Sequence, residues 1–256
     1  MQPDDTTATP PPASAEFDAQ LMGVAALGDP MRRALYRYVI AQPDPVNRDQ
    51  VSQGVGVARH VAKFQLDRLV ADGLLAVEYA RPAGRRGPGA GRPAKLYRRS
   101  SRELAVSLPQ RDYELAGRLL AEAITTARRD NVPVDDARAT AARAAGRAFG
   151  LRARRAAGGR PTRSALTAAM IAVLTEAGYE PRDEDNSITL VNCPFHGLAQ
   201  DFTDLVCGMN LDLMEGIVDG LGDTSLVARL EPTPGVCCVR LTRSPEHGGR
   251  IRSGSR

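Results

Sequence analysis

The sequence predicts an α+β protein: an N-terminal helical domain closed by a β-hairpin, central helices, and a small C-terminal α+β domain with an antiparallel sheet. Three observations predict it. From Leu21 to Leu75 apolar residues recur at helical spacing, interrupted by glycine-containing turns. Residues 75–81 and 94–99 read as strands around a Gly/Pro/Arg tip. Beyond residue 160 helix-length and strand-length segments follow one another, and the last two strands are joined by Pro-Thr-Pro-Gly. The 256 residues suffice for two modest cores. Trp is absent and aromatics are few, so those cores rest on Leu, Val and Ala.

The partition this predicts is a tail over 1–16, a helical domain over 17–100, linker or dimerisation helices over 101–160, a cysteine-containing α+β domain over 161–243 and a second tail over 244–256. The opening "MQPDDTTATPPPASAE" is acidic and rich in Pro and Thr, without the basic and apolar regions of a signal peptide. No apolar run approaches the length of a membrane span. The expectation is a cytoplasmic protein with no membrane partner, whose cysteines stay reduced. A net charge of +4 permits nucleic-acid binding without demanding it, so the clustering of charge decides.

Along the first domain, Asp29 is placed to cap a helix with Pro30 at its first position. Asn47 caps a short helix over 47–54, Gly54 to Gly56 turn the chain, and a longer helix over 58–71 stops at Gly73. Helix, short turn, helix is a helix-turn-helix arrangement. In the second helix Ala58, Ala62, Leu66 and Leu69 share the packing face. His60, Lys63, Phe64 and Asp67 fall opposite, flanked by Arg59 in the first turn. Such a face suits base-edge and phosphate contacts in a major groove, and equally a solvated surface. The hairpin that follows breaks the tie. From Arg81 to Arg99 there are seven basic residues and no acidic one. A cationic glycine-rich tip reads as a wing touching DNA backbone or minor groove. The candidate DNA-binding residues are Arg59, His60, Lys63, Phe64, Arg85, Arg86, Arg92 and Lys95.

"ARHVAKFQLDRLVADGLL" with "GRPAKLYRRS" resembles the recognition helix and second wing strand of bacterial ArsR-like and MarR-like winged helix-turn-helix repressors, over residues 20 to 100. The resemblance implies a transcriptional regulator rather than an enzyme, bound as a homodimer to a palindromic double-stranded operator. In the middle, Leu115, Leu119, Ala123 and Ala127 form one stripe, and Ala137, Ala141, Ala145 and Phe149 another. By analogy with that group these helices are the expected dimer interface. The arginines at 143, 147, 152, 154 and 155 read as a solvated face.

The C-terminal domain holds all four cysteines. Cys193 ends the strand "SITLVNCPF", and residues 196–221 read as helical with a break near Thr203. Cys207 is expected to open the helix "CGMNLDLMEGIVDGL", and Cys237 and Cys238 to begin the last strand. Thiols at element ends can converge, and a thiolate at a helix N-terminus gains from the dipole. Four small core residues is the bland alternative. A redox disulfide remains open, although nothing in the sequence singles out an attacking thiol. C-x2-C zinc knuckles are absent, but a zinc site of Cys193, His196, Cys207 and Cys237 stays feasible. An enzyme using Cys193 and His196 as nucleophile and base lacks a visible oxyanion loop or orienting acid.

"NCPFHGLA" and "LVCGMN", with a cysteine in the last hairpin, resemble the iron–sulfur-sensing repressors of bacterial suf operons. That resemblance implies a cluster, [4Fe-4S] or [2Fe-2S], held by Cys193, Cys207 and one of Cys237 or Cys238, with His196 as a further candidate. Zinc is the alternative metal, and a regulator with a small-molecule effector site and no cluster is the alternative function. This chain has one extra residue between the first two cysteines, and its third cysteine is doubled.

Overall fold

The computed structural model describes residues 15–80, 93–184, 186–222 and 225–243. It is an α+β protein, with nine helices and two antiparallel sheets among the described residues. Its contacts divide the chain into Met1–Val106 and Ser107–Arg256. No described helix is long and apolar enough to cross a membrane. Both expected tails lie outside the described residues, except that the first helix already starts at Ala15.

The first unit runs α1 (Ala15–Ala26), α2 (Pro30–Ile40), β1 (Val46–Asn47), α3 (Arg48–Val55), α4 (Arg59–Ala71), β2 (Leu75–Ala80) and β3 (Ala94–Arg99). Local chemistry sets its boundaries. The Asp29 carboxylate accepts from the Arg32 N–H at 2.8 Å, with Pro30 at the first helical position. Asn47 and Gln50 form a reciprocal capping box at the start of α3. Gly56 ends α3 at φ +74°, a left-handed conformation that costs a glycine nothing. Leu35, Val51, Ala62, Leu66, Leu69 and Tyr97 fill the core between these helices and a sheet of order β1-β3-β2. The two-residue β1 was not anticipated, since only its pairing with Leu96 and Tyr97 makes it a strand.

The second unit holds α5 (Tyr113–Asp130), α6 (Val134–Ala156), α7 (Arg163–Glu176), β4 (Pro181–Glu184), β5 (Ser187–Leu190), α8 (His196–Asp201), α9 (Thr203–Leu221), β6 (Leu226–Leu230) and β7 (Val239–Arg243). The sheet order is β4-β5-β7-β6, antiparallel throughout. The helices α5 and α6, read from sequence as a connecting and dimerising segment, pack inside this unit. The Ala/Gly face of α6 lies against α9, the most deeply buried helix.

That contact is made backbone to backbone. A Cβ at Gly146 would stand 2.0 Å from the Leu213 carbonyl oxygen, and one at Gly150 2.2 Å from that of Ile217. From the other side, a Cβ at Gly216 would meet the Arg143 carbonyl oxygen at 2.2 Å and one at Gly220 that of Arg147 at 2.4 Å. Only glycine permits this approach. Ion pairs flank the seam: Asp212 on α9 accepts from Arg138 at 3.0 Å and Arg143 at 3.2 Å, both on α6. Arg154 donates to the Leu221 carbonyl at 2.6 Å, at the end of α9. The arginine row of α6, expected as a solvated face, therefore spends Arg143 and Arg154 on α9, while Arg152 pairs with Glu176.

Candidate thiol centre and nucleic-acid interface

On α4, Ala62, Leu66 and Leu69 are buried while Arg59, His60, Lys63 and Phe64 are exposed. Phe64 is 67% exposed, an apolar ring presented to solvent on a polar face. Arg59 reaches back to Asp49 on α3, Nη2 to Oδ2 at 2.9 Å. Between α4 and β3 lies a cleft of about 470 Å³, lined by Arg48, Arg59, Lys63 and Lys95 together with Asp49 and Asp67. Lys95 points into this cleft but is engaged: its ammonium donates to Asp67 at 2.5 Å and lies 5.2 Å from the centre of the Tyr97 ring. The Tyr97 hydroxyl donates to the same carboxylate oxygen at 3.0 Å. Arg85, Arg86 and Arg92, the expected wing contacts, lie outside the described residues.

Burial alone would raise the Asp67 carboxyl, but the hydrogen bonds of Lys95 and Tyr97 and the charges of Lys95 and Lys63 outweigh it and hold the group below the usual carboxylate range. A depressed carboxylate contributes stability above its unfolded pKa, and that stability is lost as pH falls through the folded value. Asp67→Asn is therefore expected to cost up to about 1 kcal/mol at pH 7, because the pair is more than a third exposed. The difference from wild type should shrink as pH falls below the ordinary carboxylate range of about 4. Urea unfolding of both proteins across that range checks it; a difference that persists in acid would remove the ion pair as its source.

The second unit gathers the four cysteines. Cys193 follows β5 in a loop tied down by Asn192, whose amide donates to the Gln110 carbonyl at 2.9 Å and the Gly178 carbonyl at 2.5 Å. The Arg111 guanidinium reaches the Asn192 side chain and donates to the Cys193 carbonyl at 3.1 Å. Cys237 and Cys238 sit just before β7. The Cys237 N–H donates to the Leu190 carbonyl at 2.8 Å, and the Cys238 carbonyl accepts from the Glu231 N–H at 2.8 Å. The sheet hydrogen bonding thus places Cys237 beside the end of β5, where Cys193 follows.

Cys207 differs from expectation. The helix starts at Thr203, because the break falls at Phe202, so Cys207 is in the second turn of α9 rather than at its first residue. The helix-dipole argument for its thiolate does not carry over, and Asp204 in the first turn opposes ionisation instead.

The thiols influence one another's ionisation in pairs, Cys193 with Cys237, Cys237 with Cys238, and Cys207 with Cys238. The influence of Cys237, with burial, pushes the Cys193 thiol far up. Cys237, lowered by Cys193 but raised by Cys238 and by burial, is raised to about 12. Burial raises the Cys207 thiol despite the opposing influence of Cys238. Three of the four thiols are buried, and Cys238 is the partly exposed one.

Behind Cys237 lies a buried polar pair that sequence reasoning missed. The Tyr179 hydroxyl donates to Asn210 Oδ1 at 2.6 Å, and Asn210 Nδ2 donates to Cys237 Sγ at 3.1 Å. Burial, with the Cys237 and Cys193 thiols nearby, drives the Tyr179 hydroxyl well above its ordinary value. Its sequence signal was an amide, Asn210, between the apolar Met209 and Leu211. His196 is exposed at the start of α8; its backbone N–H donates to the Cys193 carbonyl at 3.1 Å.

The donor set, four thiols in one unit, fits a soft metal or cluster in its chemistry. Among the described residues no three His, Cys, Asp or Glu side chains already surround one point able to hold an ion. The two facts are compatible. A metal needs its ligands around one centre, so loading would require the side chains to move together and the thiols to give up their protons. No protein-family model matches the chain, and no curated protein or solved structure does either.

Proposed function

We propose that the chain is a dimeric DNA-binding transcriptional regulator of winged-helix type, similar to ArsR-like and MarR-like repressors, with operator affinity controlled at the thiol centre. The observation that carries this reading is α4, which buries one apolar face and presents Arg59, His60, Lys63 and Phe64 on the other. It follows α3 across the Gly56 turn and leads straight into the β2–β3 hairpin. Arg59, His60 and Lys63 would meet base edges and phosphates, and the exposed Phe64 ring suits the apolar methyl of thymine. Arg85, Arg86 and Arg92 would add backbone contacts.

An iron–sulfur cluster, as in the suf-type repressors the chain resembles, would be held by Cys193, Cys207 and Cys237. Of the adjacent pair, Cys237 is favoured because its sulfur receives the Asn210 amide. When bound, the group supplies metal–sulfur links among the end of β5, α9 and the start of β7. Its effect on DNA affinity arises only through different stability in bound and free conformations, typically about 1–3 kcal/mol.

Anaerobically purified protein should be brown and contain iron and sulfide; colourless protein containing zinc would replace the cluster with the alternative metal. DNA selected from a random pool should bind with a log–log salt slope of magnitude about 4 or more. Replacing Arg85, Arg86 and Arg92 with alanine should weaken all sequences alike, whereas Lys63→Ala should relax discrimination at particular bases. A selection that recovers no DNA would sink the regulator reading.

A further inference from the structure

We infer that Asp49 is a positioning residue for DNA recognition: it clamps Arg59 side-on and leaves the end of the guanidinium to read a guanine in the major groove. This rests on the regulator reading and deepens it by naming a base and the carboxylate that selects it.

An arginine offers two forks of parallel N–H groups. The side-on fork is Nε with Nη2, and the end-on fork is Nη1 with the outer hydrogen of Nη2. In this protein the side-on fork is occupied. Arg59 Nη2 donates to Asp49 Oδ2 at 2.9 Å, and Arg59 Nε pairs with Asp49 Oδ1. Neither contact uses Nη1, and the Arg59 side chain is 61% exposed. Arg59 is the first residue of α4, the end at which a recognition helix meets base edges. Asp49 is well fixed for the clamp. It lies in the first turn of α3, where a carboxylate gains from the helix dipole, and its N–H donates to Asn47 Oδ1 at 2.9 Å. The Asn47–Gln50 capping box holds that turn without the Asp49 side chain.

Two effects then favour guanine. Its major-groove edge presents two acceptors, O6 and N7, which match an arginine fork; adenine puts an amino donor in place of O6. A fork already held in one orientation loses less freedom on binding than a free side chain. The carboxylate also works against the backbone. It fills the fork a phosphate would otherwise take and repels that phosphate, so Arg59 is steered from a contact without sequence information to one that carries it.

The test uses the full chain and the operator recovered from the random pool. Each guanine is replaced in turn by 7-deazaguanine, which lacks the N7 acceptor, and by adenine. Dissociation constants are compared for the wild type, Asp49→Ala, Arg59→Ala and the double variant. The wild type should lose about 5- to 150-fold at one guanine in each half-site, the worth of a good bidentate contact. Arg59→Ala should erase that loss. Asp49→Ala should shrink it several-fold and leave the losses at other positions unchanged, an outcome that mere damage to α3 would not give. Its affinity for unrelated DNA should hold or rise, with a steeper salt slope, as the freed arginine turns to phosphate. In the double variant, Asp49→Ala should add nothing to Arg59→Ala at that guanine. Full discrimination retained in Asp49→Ala, discrimination reduced equally at every position, or an operator with no guanine sensitive to Arg59 would overturn the clamp and leave the regulator reading standing. A pool that yields no DNA sinks both.

Discussion

Asp212→Ala is expected to destabilise the second unit by about 3–5 kcal/mol, the usual cost of removing one partner from a buried ion pair. Asp212 and Arg138 have side chains only 10% and 13% exposed, and the Arg138 Nε has no hydrogen-bond partner, so losing the carboxylate leaves a buried guanidinium with only the 3.7 Å ion pair to the exposed Asp135. Arg143, at 54% exposure, can turn to water and to Glu215, so Arg143→Ala should cost much less. Replacing both buried partners with apolar residues, Arg138→Met with Asp212→Leu, should recover most of the loss. Chemical unfolding of the single and double variants reads this directly. A double variant as unstable as Asp212→Ala would show that the helix seam, not the stranded charge, sets the cost.

The second large effect is expected at the glycines of that seam. Gly146→Ala or Gly216→Ala should lower stability by about 1–3 kcal/mol, because a Cβ there collides with backbone that cannot move without parting the helices. The sign is the informative part. In an ordinary helix the same change gains about 1 kcal/mol of propensity. Gly117 on α5 supplies the control: it is exposed, and a Cβ there meets nothing within 4 Å. Gly117→Ala should therefore raise the melting temperature while Gly146→Ala lowers it. Thermal melts moving in the same direction would refute the close approach.

The contrast between these glycines shows where sequence reading stops. Caps and stops are local, so Asp29, Asn47 and Gly56 announce the helices of the first unit, and β3 appears at 94–99 as its alternation predicts. The strand β4 is Pro-Arg-Asp-Glu, exposed after its first residue and without apolar alternation; pairing with β5 alone makes it a strand. Glycines spaced four apart on α6 and α9 look like weak points in each helix taken singly, and acquire meaning only when the two helices meet. The cysteines were legible as candidates because thiols are rare and chemically distinct. Their placement was not, because it follows from sheet hydrogen bonding at Leu190 and from a helix start that falls at Thr203 instead of Cys207. Asn210 was hidden for the same reason: its partners, Tyr179 and Cys237, lie on other elements.

The seam between α6 and α9 also constrains how the protein is made. Arg143 and its partner Asp212 are 69 residues apart, with α7, β4, β5 and α8 between them. At a synthesis rate of roughly 5–20 residues per second, α6 leaves the ribosome on the order of several seconds before the helix that completes it. During that interval the face awaiting α9 shows Ala142, Gly146, Gly150 and Ala153 rather than large apolar side chains. A nascent helix with so little to stick by offers chaperones and neighbouring chains a poor foothold, and it stays available for the partner that arrives last.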